Sequence, residues 1–245
     1  MIAVQTKNLT KKYKTKTAVD SINLEVNKGE LFALLGVNGA GKTTTIRMLA
    51  CLSTATSGEA FVEGHSCLNE QSAVKSVIGI SPQDTAVAEN LTVRENLEFI
   101  ASVYGLDKNT VKARTEQMIS TFNMHDVENS RAKTLSGGWK RKLSIAMALI
   151  SEPKVLFLDE PTLGLDVLAR RELWKAIEGL KGKITIILTT HYMEEAQALS
   201  DRIGIMIDGQ IKALGTLAEL EQLTGKTGLE EAFVAIAEGN GGNNE

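Results

Sequence analysis

The chain has 245 residues, with 27 basic and 30 acidic side chains and a formal net charge of −3. At about 150 residues per domain, this length gives one large domain or two small lobes, enough to bury a core without disulfides or structural metals. The near balance of charge argues against coating nucleic acid by bulk electrostatics, and 43% hydrophobic with 23% charged residues excludes a disordered or fibrous chain.

In chain order, residues 2–9 and 17–26 are strand-like and are separated by the basic segment KKYKTKTA. The turn NKGE at 27–30 leads into LFALL at 31–35, a short apolar run that predicts a buried strand. Glycines interrupt the next segment, GVNGAGKTT at 36–44, before IRMLACL resumes with helical spacing. Residues 59–63 and 77–81 supply two further short strands. Apolar spacing is helical over Leu91–Tyr104, over 110–122 and over SGGWKRKLSIAMALI at 136–150, so the middle of the chain is mainly helical.

The strand–helix rhythm then returns. VLFL at 155–158 precedes a helix at 167–179, and ITIIL at 184–188 precedes another at 191–199. GIMI at 204–207 meets a second strand across Asp208–Gly209, a tight-hairpin signal. Thr216 and Glu219 have the spacing of a capping box opening a short helix, and GNGGNNE at 239–245 is expected to fray. No internal repeat is present. Strands alternating with helices predict a sheet covered by helices, with the all-helical insert forming a smaller lobe.

Two cysteines, Cys51 and Cys67, suit neither a zinc cluster nor a disulfide framework, and read as small hydrophobes in a reducing compartment. The start lacks the apolar core and cleavage site of a secretory signal, and no apolar run approaches the roughly 18 residues of a membrane span. A chain soluble by itself is expected, free to dock on a membrane-bound partner.

GVNGAGKT at 36–43 is the G-x-x-x-x-G-K-[ST] phosphate loop in its proper setting, after a buried strand and before a helix. Glycines let successive N–H groups curl toward phosphate oxygens, and the helix N-terminus adds a favourable dipole. Gly36, Asn38, Gly39, Ala40, Gly41, Lys42, Thr43 and Thr44 are the candidate nucleotide contacts. Lys42 can reach the β- and γ-phosphates, and the Thr43 hydroxyl can ligate Mg²⁺. The strand 155–158 delivers Asp159 and Glu160 at its C-terminal end, where open α/β sheets bind ligands. Asp159 is the candidate Mg²⁺ ligand and Glu160 the candidate base for the attacking water, although adjacent carboxylates at a strand end also suit turn capping.

LSGGW at 135–139, shortly before VLFLDEP, resembles the signature of ATP-binding-cassette (ABC) proteins. The resemblance runs from Tyr13 to the end of the second strand-rich part, and is closest to the free-standing ATP-binding subunits of bacterial ABC-2-type exporters, the drug-resistance and sodium-efflux group. It implies a single domain over 1–245 with an α/β fold: a P-loop NTPase core of ABC type, with an antiparallel β subdomain and an α-helical subdomain inserted at about 88–152.

The same resemblance implies roles residue by residue. Tyr13 matches the aromatic that stacks on adenine. Gln83 matches the Q-loop glutamine, which approaches Mg²⁺ and water and links the helical lobe to the membrane partner. Ser136, Gly137 and Gly138 match residues that contact the γ-phosphate held by the opposite subunit. Asp166 matches the D-loop aspartate, and His191 the switch histidine. Catalysis is thus expected from Glu160, His191, Gln83 and Lys42, and metal binding from Thr43, Gln83 and Asp159. ATP and Mg²⁺ are the implied cofactors. The implied partners are a second copy or homologous ATPase subunit and a separate integral membrane permease, with no nucleic acid, at the cytoplasmic face of the membrane. An importer ATPase and a soluble, non-transport ABC ATPase are the alternatives.

Each matched residue also has a plain reading. Tyr13 suits a surface aromatic, Gln83 a turn cap after Pro82, Asp166 a helix cap and His191 a strand-end histidine. Lys11, Lys12, Lys14 and Lys16 around Tyr13, and Lys140, Arg141 and Lys142 after Trp139, read first as solvated charged faces. Trp139 stands where the best-known signature has glutamine; it either packs over a ribose or against the opposing phosphate loop, or plugs the helical lobe. Leu163 stands where many relatives have a small residue.

Overall fold

The computed structural model describes residues 1–239; the tail expected to fray lies outside them except for Gly239. Six strands form the central sheet: β3 (Leu31–Leu35), β6 (Ile78–Ser81), β7 (Val155–Asp159), β8 (Thr185–Thr190), β9 (Arg202–Ile207) and β10 (Gln210–Gly215). Their order is β10-β9-β3-β8-β7-β6, parallel except for the β9–β10 hairpin. That hairpin turns at Asp208 and Gly209, both at positive φ, as the sequence predicts.

Both faces of the inner part of this sheet are covered, which is why β3 and β7 are buried apolar runs instead of alternating ones, whereas the edge strand β10 alternates. In β3, Leu31, Ala33 and Leu35 pack into one core, while Phe32 and Leu34 pack into the other. β7 divides the same way, with Leu156 and Leu158 on one face and Val155 and Phe157 on the other. The period of two sends successive side chains to opposite layers.

One layer is a four-stranded antiparallel sheet in the order β2-β1-β4-β5, with α1 (Lys42–Leu49) filling the same core through Ile46 and Leu49. Its strands are β1 (Ile2–Tyr13), β2 (Lys16–Asn27), β4 (Ser57–Val62) and β5 (His65–Ser66). The basic segment expected as a break is instead the tip of the β1–β2 hairpin, where Tyr13 pairs with Lys16. The charged side chains project from the ladder while the backbone hydrogen bonds continue through it, so local polarity did not end the strands.

The other layer is helical. Between β6 and β7 lie α3 (Val93–Val103), α4 (Lys108–Thr121) and α5 (Gly137–Leu149). Past β7 come α6 (Val167–Glu178), α7 (Met193–Leu199), α8 (Leu217–Thr224) and α9 (Leu229–Ala237). Two helices have no counterpart in the sequence reading: α2 (Gln71–Val77), which buries only Val74 and has no side-chain cap, and α9. The helix expected over IRMLACL ends at Leu49, because Cys51 turns into positive φ. Among the described residues no helix is long and apolar enough to cross a membrane.

Candidate nucleotide site

Strand order gathers the motifs. The phosphate loop follows β3, Asp159 and Glu160 end β7, and His191 follows β8, which lies between β3 and β7. All three segments therefore emerge side by side at the C-terminal edge of the sheet, where open α/β sheets bind ligands.

A cleft of about 480 Å³ opens there, lined by Tyr13, Lys16, Ala18, Asn38–Thr44, Gln83, Glu160, Leu163 and His191. A larger groove of about 840 Å³ lies at the opposite edge, lined in part by Lys28, Lys154, Lys175 and Lys183. It holds none of the motif residues, so volume and chemistry point to different places; the site is assigned by chemistry.

The loop geometry demands its glycines. A Cβ on Gly36 would stand 2.3 Å from the Met206 carbonyl oxygen, and one on Gly41, at φ +108°, would stand 2.4 Å from that of Ala18. Gly41 then starts α1, whose first residues Lys42 and Thr43 carry the polar groups. Lys42 is buried; its ammonium donates to the carbonyl oxygens of Gly36 (2.7 Å) and Val37 (3.2 Å) and lies 3.3 Å from Glu160 Oε1. The other carboxylate oxygen of Glu160, Oε2, is 2.5 Å from His191 Nδ1. Asp159 Oδ1 accepts from Thr43 Oγ1 (3.0 Å) and from Thr189 Oγ1 (2.6 Å). Thr43 and Asp159 thus present adjacent hard oxygens, the donor type that suits Mg²⁺.

Glu160 adopts φ 49°, an uncommon conformation for a residue with a side chain. Such a backbone costs on the order of 1–3 kcal/mol and persists where its surroundings fix it. Here the Glu160 N–H donates to the carbonyl and hydroxyl oxygens of Thr189, both at 3.1 Å, while its carbonyl oxygen accepts from Arg141 at 2.9 Å.

The remaining motif residues divide. Gln83 and Tyr13 reach the cleft, Tyr13 half-exposed with the Lys11 ammonium 5.0 Å from its ring centroid. Ser136 caps α5, and with Gly137 and Gly138 it lies outside the cleft, beside the segment that follows β7: a Cβ on Gly138 would meet Ala169 Cβ at 3.1 Å. Asp166 caps α6 through the N–H groups of Leu168 and Ala169.

The reading of Lys140, Arg141 and Lys142 as a solvated face is overturned for two of the three. Arg141 and Lys142 are buried, while Lys140 pairs with Glu89 at 3.4 Å. Lys142 binds Glu172 at 2.8 Å and lies 4.4 Å from the ring centroid of Trp139, which packs half-buried against the main core. Sequence reasoning assigned Arg141 no role in the site. The fork of contacts it makes joins segments 58 and 19 residues away, so no local pattern encodes it. Cys51 and Cys67 are half-buried neighbours whose burial raises both thiol pKa values, that of Cys67 to about 12, in keeping with inert thiols.

Comparison with known proteins agrees with this fold. The family model for "ABC transporter" matches residues 19–163. The human phospholipid-transporting ATPase ABCA3 is 41% identical over 226 residues, covering 91% of this chain but 13% of that protein, so the chain spans about an eighth of that relative's length. The daunorubicin resistance ATP-binding protein DrrA3 of Streptomyces coeruleorubidus is 40% identical over 224 residues, covering 91% of this chain and 71% of that one. A solved structure of an ATP-binding subunit of an ABC transporter superposes with TM-score 0.85 at 30% identity, covering 96% of this chain and 99% of the other. The dimeric post-hydrolysis cassette MJ0796 bound to ADP and Pi superposes with TM-score 0.80 at 25% identity, covering 87% and 98%. With a phosphate loop, paired strand-end carboxylates and a signature helix in this arrangement, the chain belongs to the ABC transporter family and is one of its ATP-binding cassettes.

Proposed function

We propose that this chain binds and hydrolyses ATP as the cassette of an ABC-2-type exporter, working as a pair and moving a separate membrane permease. The observation that carries the catalytic part is the cluster in one cleft of Lys42, Glu160 and His191, with the Thr43–Asp159 pair against it. The exporter assignment is supported by the drug-resistance relative, of which the chain covers most of the length.

In this reading the loop N–H groups and Lys42 grip the phosphates, Tyr13 stacks on the base, and Thr43, Asp159 and Gln83 hold Mg²⁺. When bound, Mg²⁺ neutralises charge on the β- and γ-phosphate oxygens. Both Glu160 oxygens are engaged before ATP enters, one by Lys42 and one by His191. Lys42 leaves Glu160 and the loop carbonyls for the γ-phosphate, which frees one carboxylate oxygen to orient the attacking water. His191 keeps the other oxygen and fixes the carboxylate plane. Catalysis is positioning and electrostatics on a phosphoryl group, with no covalent intermediate. Ser136, Gly137 and Gly138 lie outside this chain's own cleft, as expected if they complete the site of a partner cassette.

Glu160→Gln tests the base. Fluorescent-nucleotide titration should give an ATP affinity within about threefold of wild type, while phosphate release falls by roughly 10²–10⁴, the usual contribution of general-base catalysis. Turnover within twofold of wild type would remove Glu160 from the chemistry. Purification from native membranes tests the partner: a polytopic protein is expected, and a ribosome or DNA complex in its place would overturn the transport reading.

A further inference from the structure

Arg141 is 3% exposed and makes no ion pair among the described residues, an unusual state for a guanidinium. Its Nη1 donates to the carbonyl oxygen of Pro82 at 2.6 Å, and its Nη2 to those of Gln83 and Glu160, each at 2.9 Å. Burial lowers its pKa, opposed by the nearby charges of Asp159, Glu195, Asp84 and Glu160. The carboxylates thus balance the cation from a distance, and its hydrogen bonds go to backbone. Its fork joins the Q-loop and the strained Glu160 backbone to α5, and leaves both Glu160 carboxylate oxygens to Lys42 and His191.

Ser136, the α5 cap, precedes Arg141 by five residues, about 7.5 Å along the helix axis at 1.5 Å per residue. One rigid helix therefore carries the signature at its start and the clamp just over a turn later. We propose that Arg141 is a positioning residue that joins the signature helix, the Q-loop and the base into one mechanical unit, so that docking of the signature on a partner's nucleotide sets Glu160 and Gln83 of the same chain. This rests on the paired reading above. It makes ATP turnover cooperative between the two sites, with Arg141 as the link.

The fork is what the link requires. Arg141→Lys keeps the charge, but a single ammonium cannot span three carbonyls on two segments. In the full chain, with its membrane partner where the complex is purified, fluorescent ATP should bind Arg141→Lys within about threefold of wild type. Turnover should fall tenfold or more, since a misplacement of about 1 Å at a reacting group can cost 10²-fold. The Hill coefficient for ATP should drop from above 1 to 1. Arg141→Ala should behave likewise, and millimolar guanidinium chloride should restore part of its turnover. A lysine variant with wild-type turnover and cooperativity overturns the proposal. So does a variant that loses ATP affinity, turnover and thermal stability together without guanidinium rescue, because that is a merely structural role. A wild-type Hill coefficient of 1 with no ATP-driven dimer instead removes the pairing reading and the coupling with it.

Discussion

Glu195 lies fully buried in α7, four residues beyond His191, and accepts from Trp174 Nε1 at 3.1 Å. The hydroxyls of Thr162 and Thr190 lie beside it, yet its Oε2 and Thr162 Oγ1 have no hydrogen-bond partner of ordinary geometry. Burial, with the like charge of Glu160, raises its pKa above the ordinary 4.5, against the lowering effect of its hydrogen-bonding neighbours. A neutral carboxyl avoids the cost of burying a charge beside Glu160, and its O–H can donate to a threonine hydroxyl oxygen. For an acid whose folded pKa is raised, the stability gained from the neutral form is complete below the unfolded value and is lost as pH rises through the folded value. Glu195→Gln keeps the shape and stays neutral. Its melting temperature relative to wild type should therefore rise as pH increases from 4.5 toward 8.5, measured by a thermal melt series. Parallel pH profiles for the two proteins would show that Glu195 is ionised in the fold. At this scale the sequence offered Lys42 and Glu160 as candidates from motif spacing, and Gln83 and His191 from the resemblance, but not Glu195 or Arg141, which stand out only through burial and contacts distant in the chain.

Elements were legible where side chains make their own boundaries. Thr92 opens α3 with a reciprocal capping box: its hydroxyl accepts from the Glu95 N–H at 3.1 Å, and the Glu95 carboxylate accepts from the Thr92 N–H at 2.8 Å. Hydrogen bonds from the Thr92 backbone and side chain hold the Glu95 carboxyl below its usual pKa. Thr92→Ala should cost about 1 kcal/mol and lower the melting temperature by about 2–4 °C for a chain of this size. An unchanged melt would show that the helical lobe does not unfold with the rest. The box predicted at Thr216 and Glu219 forms in the same way and opens α8. By contrast, α2 lacks a side-chain cap and buries one residue, so little in its sequence marks it. The hairpin strands β1 and β2 extend through a lysine-rich stretch because strand pairing is satisfied by backbone, whatever the side chains facing solvent.

At the scale of the molecule, two adjacent apolar residues stand exposed beside the signature segment. Val167 and Leu168 at the start of α6 are 60% and 74% exposed, next to Asp166 and close to the signature glycines. They make few contacts within the chain, so replacing Leu168 should leave the monomer intact. Leu168→Glu is expected to melt within about 2 °C of wild type, as surface substitutions usually change stability by no more than about 0.5 kcal/mol. Combined with Glu160→Gln, it should shift the ATP-bound form from dimer toward monomer in light scattering. An unaffected dimer would place the pairing surface elsewhere.

The sequence by itself determined the α/β class, the phosphate loop, the paired carboxylates at the end of β7 and the helical insert. Each is written in a short run of residues whose spacing or polarity has one physical reading. Tertiary structure decided how those runs meet. β8 inserts between β3 and β7, bringing His191 against Glu160 at 2.5 Å, although 31 residues separate them in the chain. Burial turned Arg141 from an expected surface charge into a clamp on three backbone carbonyls. A desolvated cation must find partners wherever the fold provides them, and strand order and burial are properties of the whole chain.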